Sequence, residues 1–127
     1  MIVVDTSVLM AIARREPEAE ACVAALVAED HVLISAGTMA EALIVSSRRN
    51  LGPEVSRMIE ELGFEIVTVT PVSARRVADA YDRWGRGASP AALNFGDCFA
   101  YALAKEQSCR LLYVGRDFST TDIEGVL

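Results

Sequence analysis

Long apolar runs are missing from this chain: uninterrupted stretches such as Ala21 to Ala28 fall far short of the roughly 20 residues that cross a bilayer, so no membrane span is expected. No basic segment precedes the first apolar stretch, which Asp5 interrupts, so a secretory leader is not expected and cytoplasmic residence is. Cysteine is scarce. Cys22, Cys98 and Cys109 are odd in number, lack C-x-x-C spacing and lie in or beside apolar patterns, which reads as reduced thiols and not a disulfide framework. Histidine occurs once, at His31 where a strand is predicted to open, and lysine once, at Lys105 inside a predicted helix. With no imidazole or thiolate pair near its acidic residues, the chain offers no zinc site. Cys98 has no neighbouring base to activate it as a nucleophile.

What the chain does have is one domain's worth of sequence: 127 residues, 52% hydrophobic and 24% charged, enough to bury about two-thirds of the unfolded surface. Short apolar runs alternate with helical patterns, as a parallel sheet requires. Ile2 to Asp5 reads as a buried strand, with Thr6-Ser7 capping a helix through Val8, Leu9 and Ile12. A second helix is expected from Pro17, a strand at Val32 to Ile34, a turn at Ser35, Gly37 and Thr38, and then a helix carrying Met39, Leu43 and Ile44. Gly52-Pro53 opens another helix, and Phe64 to Val69 is the third predicted strand. Pro71 starts a helix through Tyr81, Gly85 to Pro90 is the loosest loop, and Asn94 caps a helix over Phe95 to Gln107. Leu111 to Val114 completes the sheet, with Ile123 to Leu127 as a short edge strand.

Four acidic residues fall at the junctions of this pattern. Asp5 and Asp117 follow apolar runs, whereas Glu41 and Asp97 are placed in the first turns of helices. Strand carboxyl ends and helix amino ends share one edge of an open parallel sheet, where ligands bind. The four carboxylates are therefore expected to meet. Two unit charges about 4 Å apart repel by roughly 4 kcal/mol at an effective dielectric near 20, so such a cluster must protonate, spread into solvent or hold a cation. An all-oxygen donor set selects a hard ion, Mg²⁺ with Mn²⁺ as a substitute, and the chemistry implied is metal-assisted attack on a phosphodiester. Taken singly, Asp5 is equally well a helix cap and Glu41 an acid favoured by a helix dipole.

Three motifs carry a resemblance. The opening Ile2-Val3-Val4-Asp5-Thr6-Ser7, the run Leu93-Asn94-Phe95-Gly96-Asp97-Cys98-Phe99-Ala100-Tyr101-Ala102-Leu103-Ala104, and Gly115-Arg116-Asp117-Phe118 followed by Thr121-Asp122-Ile123 resemble a PIN-domain ribonuclease of the VapC toxin group. The resemblance spans essentially the whole chain, and the central run is its most specific part. It implies a PIN-like three-layer α/β fold with a central parallel sheet of four to five strands flanked by helices. It also implies a Mg²⁺-dependent endoribonuclease acting on structured RNA such as tRNA or ribosomal RNA. A cognate VapB-type antitoxin is expected to block the site and repress the shared operon, and a homodimer and a higher toxin–antitoxin complex are expected too.

By position, Asp5, Glu41, Asp97 and Asp117 match the family's acidic quartet, with Asp5 and Asp97 expected as direct metal ligands. Thr6 and Ser7 are placed to hold Asp5 or a phosphate oxygen, Asn94 to orient an acid, and Asp122 at the periphery. Arg116 departs from the family, which often has Asn or Asp there; it is free to pair with Asp117 or to contact a substrate phosphate. A phospho-receiver domain also has an acidic Mg²⁺ pocket but needs a lysine after a late strand, and Lys105 is not there. The second alternative, a PIN domain that binds a partner without cleaving, rests on Arg116 alone. Charge argues against a generic RNA binder: the net value is −6, which a pair of bound divalent cations would reduce to about −2. Eleven of the twelve basic residues are arginine, the better phosphate ligand. Arg75, Arg76, Arg83 and Arg86 read as a solvated helix face, and Tyr81 and Trp84 as core or interface residues.

Overall fold

Ile2, Val3 and Val4 are wholly buried because they form the inner strand of a sheet covered on both faces. The computed structural model describes residues 1–127. In chain order the elements are β1 (Ile2–Val4), α1 (Thr6–Ala13), α2 (Ala19–Val27), β2 (Val32–Ser35), α3 (Ala36–Arg48), α4 (Gly52–Glu61), β3 (Glu65–Val67), α5 (Pro71–Trp84), α6 (Phe95–Glu106) and β4 (Arg110–Leu112). All strand pairings are parallel and the order is β3-β2-β1-β4. Val3 pairs with Leu33 on one side and Leu111 on the other. The chain thus builds outward from β1 to β3, then returns to add β4 on the opposite flank. That reversal leaves a crevice beyond the carboxyl ends of β1 and β4, the usual ligand position in open α/β sheets.

Strand alternation sorts the core into two layers. Ile2, Val4, Val32, Ile34 and Leu112 face α1, α2, α3 and α4, where Val8, Leu9, Cys22, Leu26, Ala42, Val55 and Ile59 pack. Val3, Leu33 and Leu111 face the other way, onto Val77 and Ala80 of α5, the alanine-rich face of α6 and the buried ring of Phe118. This is the expected three-layer α/β arrangement, with four strands.

Element ends differ from the sequence reading in physically readable ways. The third strand is confined to Glu65–Val67 because β3 is an edge strand whose Glu65 and Ile66 are exposed. Leu111 to Val114 ends early as a strand, since the Val114 amide donates to Ser7 Oγ at 3.0 Å and not to the sheet. Ile123 to Leu127 forms no strand; it makes a single bridge in which Leu111 donates to the Glu124 carbonyl and accepts from Val126. Gly37 and Thr38 lie inside the first turn of α3, because Ser35 caps that helix by accepting from the Gly37 amide at 3.1 Å. Gly37 is required there: a Cβ would come within 2.2 Å of the Phe99 ring. Likewise the cap of α1 is Asp5 itself, not Thr6-Ser7.

Leu111 is wholly buried between β1, α6 and the C-terminal segment. Leu111→Ala is expected to lower the free energy of unfolding by about 2–5 kcal/mol through lost transfer energy and cavity formation. Urea denaturation with an unchanged m-value reads this directly.

Candidate active site

Asp5 does two jobs at once. Its Oδ2 accepts from the Ser7 amide at 3.1 Å and from Ser7 Oγ at 2.7 Å, which is the cap of α1. Its Oδ1 is buried and has no hydrogen-bond partner. A buried carboxylate oxygen without a donor is costly, so this atom is the strongest local indication that something cationic belongs beside it. The residue is 3% exposed, and burial, only partly offset by Ser7 and reinforced by the charges of Asp97 and Glu41, lifts its pKa to about 7.

Asp97 reaches the same place from the first turn of α6. Asn94 Oδ1 accepts from the Asp97 amide at 2.8 Å while Asp97 Oδ2 accepts from the Asn94 amide at 3.0 Å, a reciprocal capping box. The orientation of this carboxylate therefore comes from the main chain of Asn94 and not from its side chain. Asp97 is 6% exposed, and burial followed by the nearby charges of Asp117 and Glu41 raises its pKa to about 6.

Glu41 arrives differently from the expectation. It sits in the second turn of α3, not the first, so the helix dipole does not explain it. Thr6 Oγ1 donates to Glu41 Oε1 at 2.6 Å, and the carboxylate lies against Gly96, where a Cβ would fall 1.6 Å from Oε2. Thr6 thus positions Glu41, while Ser7 alone holds Asp5. Gly96 is the residue before Asp97, so Glu41 and Asp97 share one wall.

Asp117 is exposed on the loop after β4, and its charge acts on Asp97. Arg116 beside it is also exposed and forms none of the ion pairs in the structure, including none with Asp117. Asp122 lies elsewhere. Its carboxylate accepts from Tyr101 Oη at 2.5 Å and from Lys105 Nζ at 3.2 Å on the later turns of α6, and Trp84 Nε1 donates to the same phenol oxygen at 2.9 Å. This chain of bonds anchors the C-terminal segment, so Asp122 is no part of the acidic group. Trp84 and Tyr101 are half-buried and buried respectively, and sequence reasoning had no signal for their pairing. Burial pushes the Cys98 thiol up to about 11, which rules it out as a thiolate nucleophile near neutral pH.

The donor set fits a hard divalent cation: carboxylate oxygens only, one of them buried and unpartnered. No three of these side chains close into a ready-made cage. Asp5 and Asp97 stand at the centre, Glu41 along the α3–α6 wall and Asp117 at the open rim. Carboxylates from a strand end, two helices and a loop thus gather at a topological switch point as one acidic group.

Residues 2–124 match the PIN domain family model. Ribonuclease VapC28 of Mycobacterium tuberculosis is 40% identical over 132 residues, covering 99% of this chain and 98% of the relative. Among solved structures, M. tuberculosis VapC20, described as a sarcin-ricin loop cleaving toxin, superposes with a TM-score of 0.81 at 15% identity, over 99% of this chain and 98% of that one. A DNA-bound VapBC from Salmonella typhimurium matches with a TM-score of 0.72 at 13% identity, over 98% of this chain and 94% of that one. The chain belongs to the PIN-domain family, within its VapC-type ribonucleases.

Two predictions follow from this geometry. Folded Asp5 and Asp97 bind protons more tightly than their unfolded forms near 3.8, so the stability of the metal-free protein with respect to these groups is fully present below about pH 4 and is lost as pH rises toward about 7, above which the effect is flat. In EDTA, thermal melts from pH 5 to 7.5 should show that decline. Asp5→Asn should remove part of it and stabilise the metal-free protein at pH 7.5 by about 1–3 kcal/mol. Stability unchanged or rising over this interval, with Asn no better than Asp, would refute the assignment. Separately, Gly96→Ala should fold yet lose roughly tenfold or more of any metal-dependent activity, because the new Cβ displaces Glu41; circular dichroism and a metal titration distinguish displacement from unfolding.

Proposed function

We propose that this chain is the toxin of a type II toxin–antitoxin pair, an endoribonuclease dependent on Mg²⁺, with Mn²⁺ able to substitute, that hydrolyses phosphodiester bonds in structured RNA such as tRNA or ribosomal RNA. The observation that carries the reading is the buried, partnerless Oδ1 of Asp5, a carboxyl group on which the charges of Asp97 and Glu41 both act. Asp5 and Asp97 would hold the ion, with Glu41 and Asp117 completing the oxygen set. A bound divalent ion supplies charge neutralisation on the scissile phosphate and an acidified water.

The remaining work falls to the chain itself. Ser7 fixes one Asp5 oxygen and leaves the other without a donor. Thr6 restrains Glu41, and the Asn94 amide restrains Asp97, so each carboxylate is preorganised by a donor that is not a cation. Arg116, exposed and unpaired beside Asp117, is free to meet a substrate phosphate. The VapBC neighbour supports a VapB-type antitoxin as partner, and an arginine or lysine from such a segment would compete with metal for these oxygens. A homodimer within a higher toxin–antitoxin complex, and a cytoplasmic setting, complete the proposal; no helix is long and apolar enough to cross a membrane.

Incubation of the purified, antitoxin-free chain with end-labelled tRNA and ribosomal RNA is expected to give discrete products in Mg²⁺ or Mn²⁺, none in EDTA, and at least about 100-fold less with Asp97→Asn. Products that persist in EDTA, or in the Asn variant, would remove the acidic centre from the chemistry.

A further inference from the structure

Beside the acids lies an apolar cleft that metal chemistry leaves unused. Its walls are Gly37, Ala40, Glu41 and Ile44 on α3 and Phe95, Gly96 and Phe99 on α6, bounding a half-open space of about 260 Å³. That exceeds the roughly 150 Å³ apolar cavity that holds one benzene ring. The cleft and the acidic centre share Glu41 and the backbone next to Asp97. Phe95, the residue two before Asp97, is 71% exposed, and Ile44 opposite it is 62% exposed. Exposing a phenyl ring to this degree forfeits burial energy, and α6 has an apolar face available onto which the neighbouring Phe99 packs.

The ring is exposed without being loose. Phe95 meets Phe99 nearly perpendicularly, with centroids 5.0 Å apart at 87°, and Phe99 in turn rests on Gly37, where no side chain fits. Tyr81 is the other exposed aromatic among the large hydrophobic residues, and it lies on α5, outside this cleft. Phe95 is therefore the aromatic surface available to a ligand held at the acids.

We propose that this cleft is a base-stacking subsite that takes one unpaired nucleobase of the RNA flanking the scissile phosphate, with Phe95 as the platform. The inference rests on the nuclease reading above and deepens it. A phosphate at the acidic centre carries a nucleoside tethered to it, and the adjoining wall is apolar and aromatic and is bounded by Glu41. Stacking on a π face tolerates any base, so the subsite selects an unpaired nucleotide and not a sequence. Duplex RNA, whose bases are already stacked and paired, is refused. Such a contact also helps a chain of net charge −6 hold RNA with few phosphate contacts.

The test compares Phe95→Trp, Phe95→Leu and Phe95→Ala with the unaltered chain on the tRNA and ribosomal RNA pool in Mg²⁺. Because the side chain is so exposed, all three variants should melt as the parent does. Trp should stay within about threefold, whereas Leu and Ala should lose about tenfold or more in kcat/KM, mostly through KM. Parental rates for Ala, or Leu equal to Trp, would overturn the proposal. So would an Ala variant that cleaves normally but escapes the antitoxin, since the cleft would then seat a protein side chain. A second readout does not need turnover: a hairpin RNA with 2-aminopurine at one loop position, bound in Ca²⁺ to the Asp97→Asn protein, should be quenched, and adding Phe95→Ala should relieve that quenching. Equal fluorescence with and without the Phe95 ring sinks the subsite even if the nuclease reading stands. Absence of metal-dependent products from the unaltered chain would instead sink the nuclease reading while the fluorescence still reports on the cleft.

Discussion

Burial of carboxylates close to one another at the β1–β4 crevice is the constraint around which the rest of the molecule is arranged. Asp5 and Asp97 are nearly inaccessible to solvent; Asp5 feels the charges of Asp97 and Glu41, and Asp97 those of Asp117 and Glu41. Such a group survives only because short-range donors hold it: Ser7 on Asp5, Thr6 on Glu41 and the Asn94 amide on Asp97. Those donors exist because Asp5 and Asn94 are helix caps, and caps occur where a strand or loop hands over to a helix. The fold thus supplies the restraint and the centre supplies the strain, which accords with functional sites being locally destabilised.

The sequence disclosed the acids better than the means by which they are held. Apolar runs and junction residues sufficed to place Asp5, Asp97 and Asp117 at one sheet edge, because period and cap signals are local. Glu41 came to the right edge for the wrong reason: the Gly37-Thr38 pair suggested a turn, whereas Ser35 starts α3 earlier and carries Glu41 into the second turn. Its contact with Thr6 spans 35 positions and has no local signature. The same holds for the Trp84–Tyr101–Asp122 chain, which turned a residue of the third motif into an anchor on a distant turn of α6. Strand ends were misjudged at β3 and β4 because the last apolar residues there answer to side chains and loops, not to neighbouring strands.

An acidic RNA enzyme has to obtain affinity by some route other than a basic surface. The arginines here are scattered over helices, turns and loops, and some are spoken for: Arg76 pairs with Glu106 at 2.9 Å, Arg110 with Glu29 at 3.6 Å, and Arg83 lies over the Trp84 ring. A basic surface of the kind a typical nucleic-acid binder presents to phosphates is therefore not formed.

The strand order has a consequence for when the enzyme comes into being. Asp5 and Asp117 stand far apart along the chain, yet they flank the same crevice, and β1 lacks one neighbour until β4 is added. A nascent chain can lay β2 and β3 beside β1 and still have an open flank, no Asp97-bearing helix and no rim. The hydrolytic centre is thus assembled by the last long-range pairing of the fold. A chain of this topology gains its complete acidic edge only when β4 docks on β1, the strand pairing with the greatest separation along the sequence and the one that costs most in loop closure.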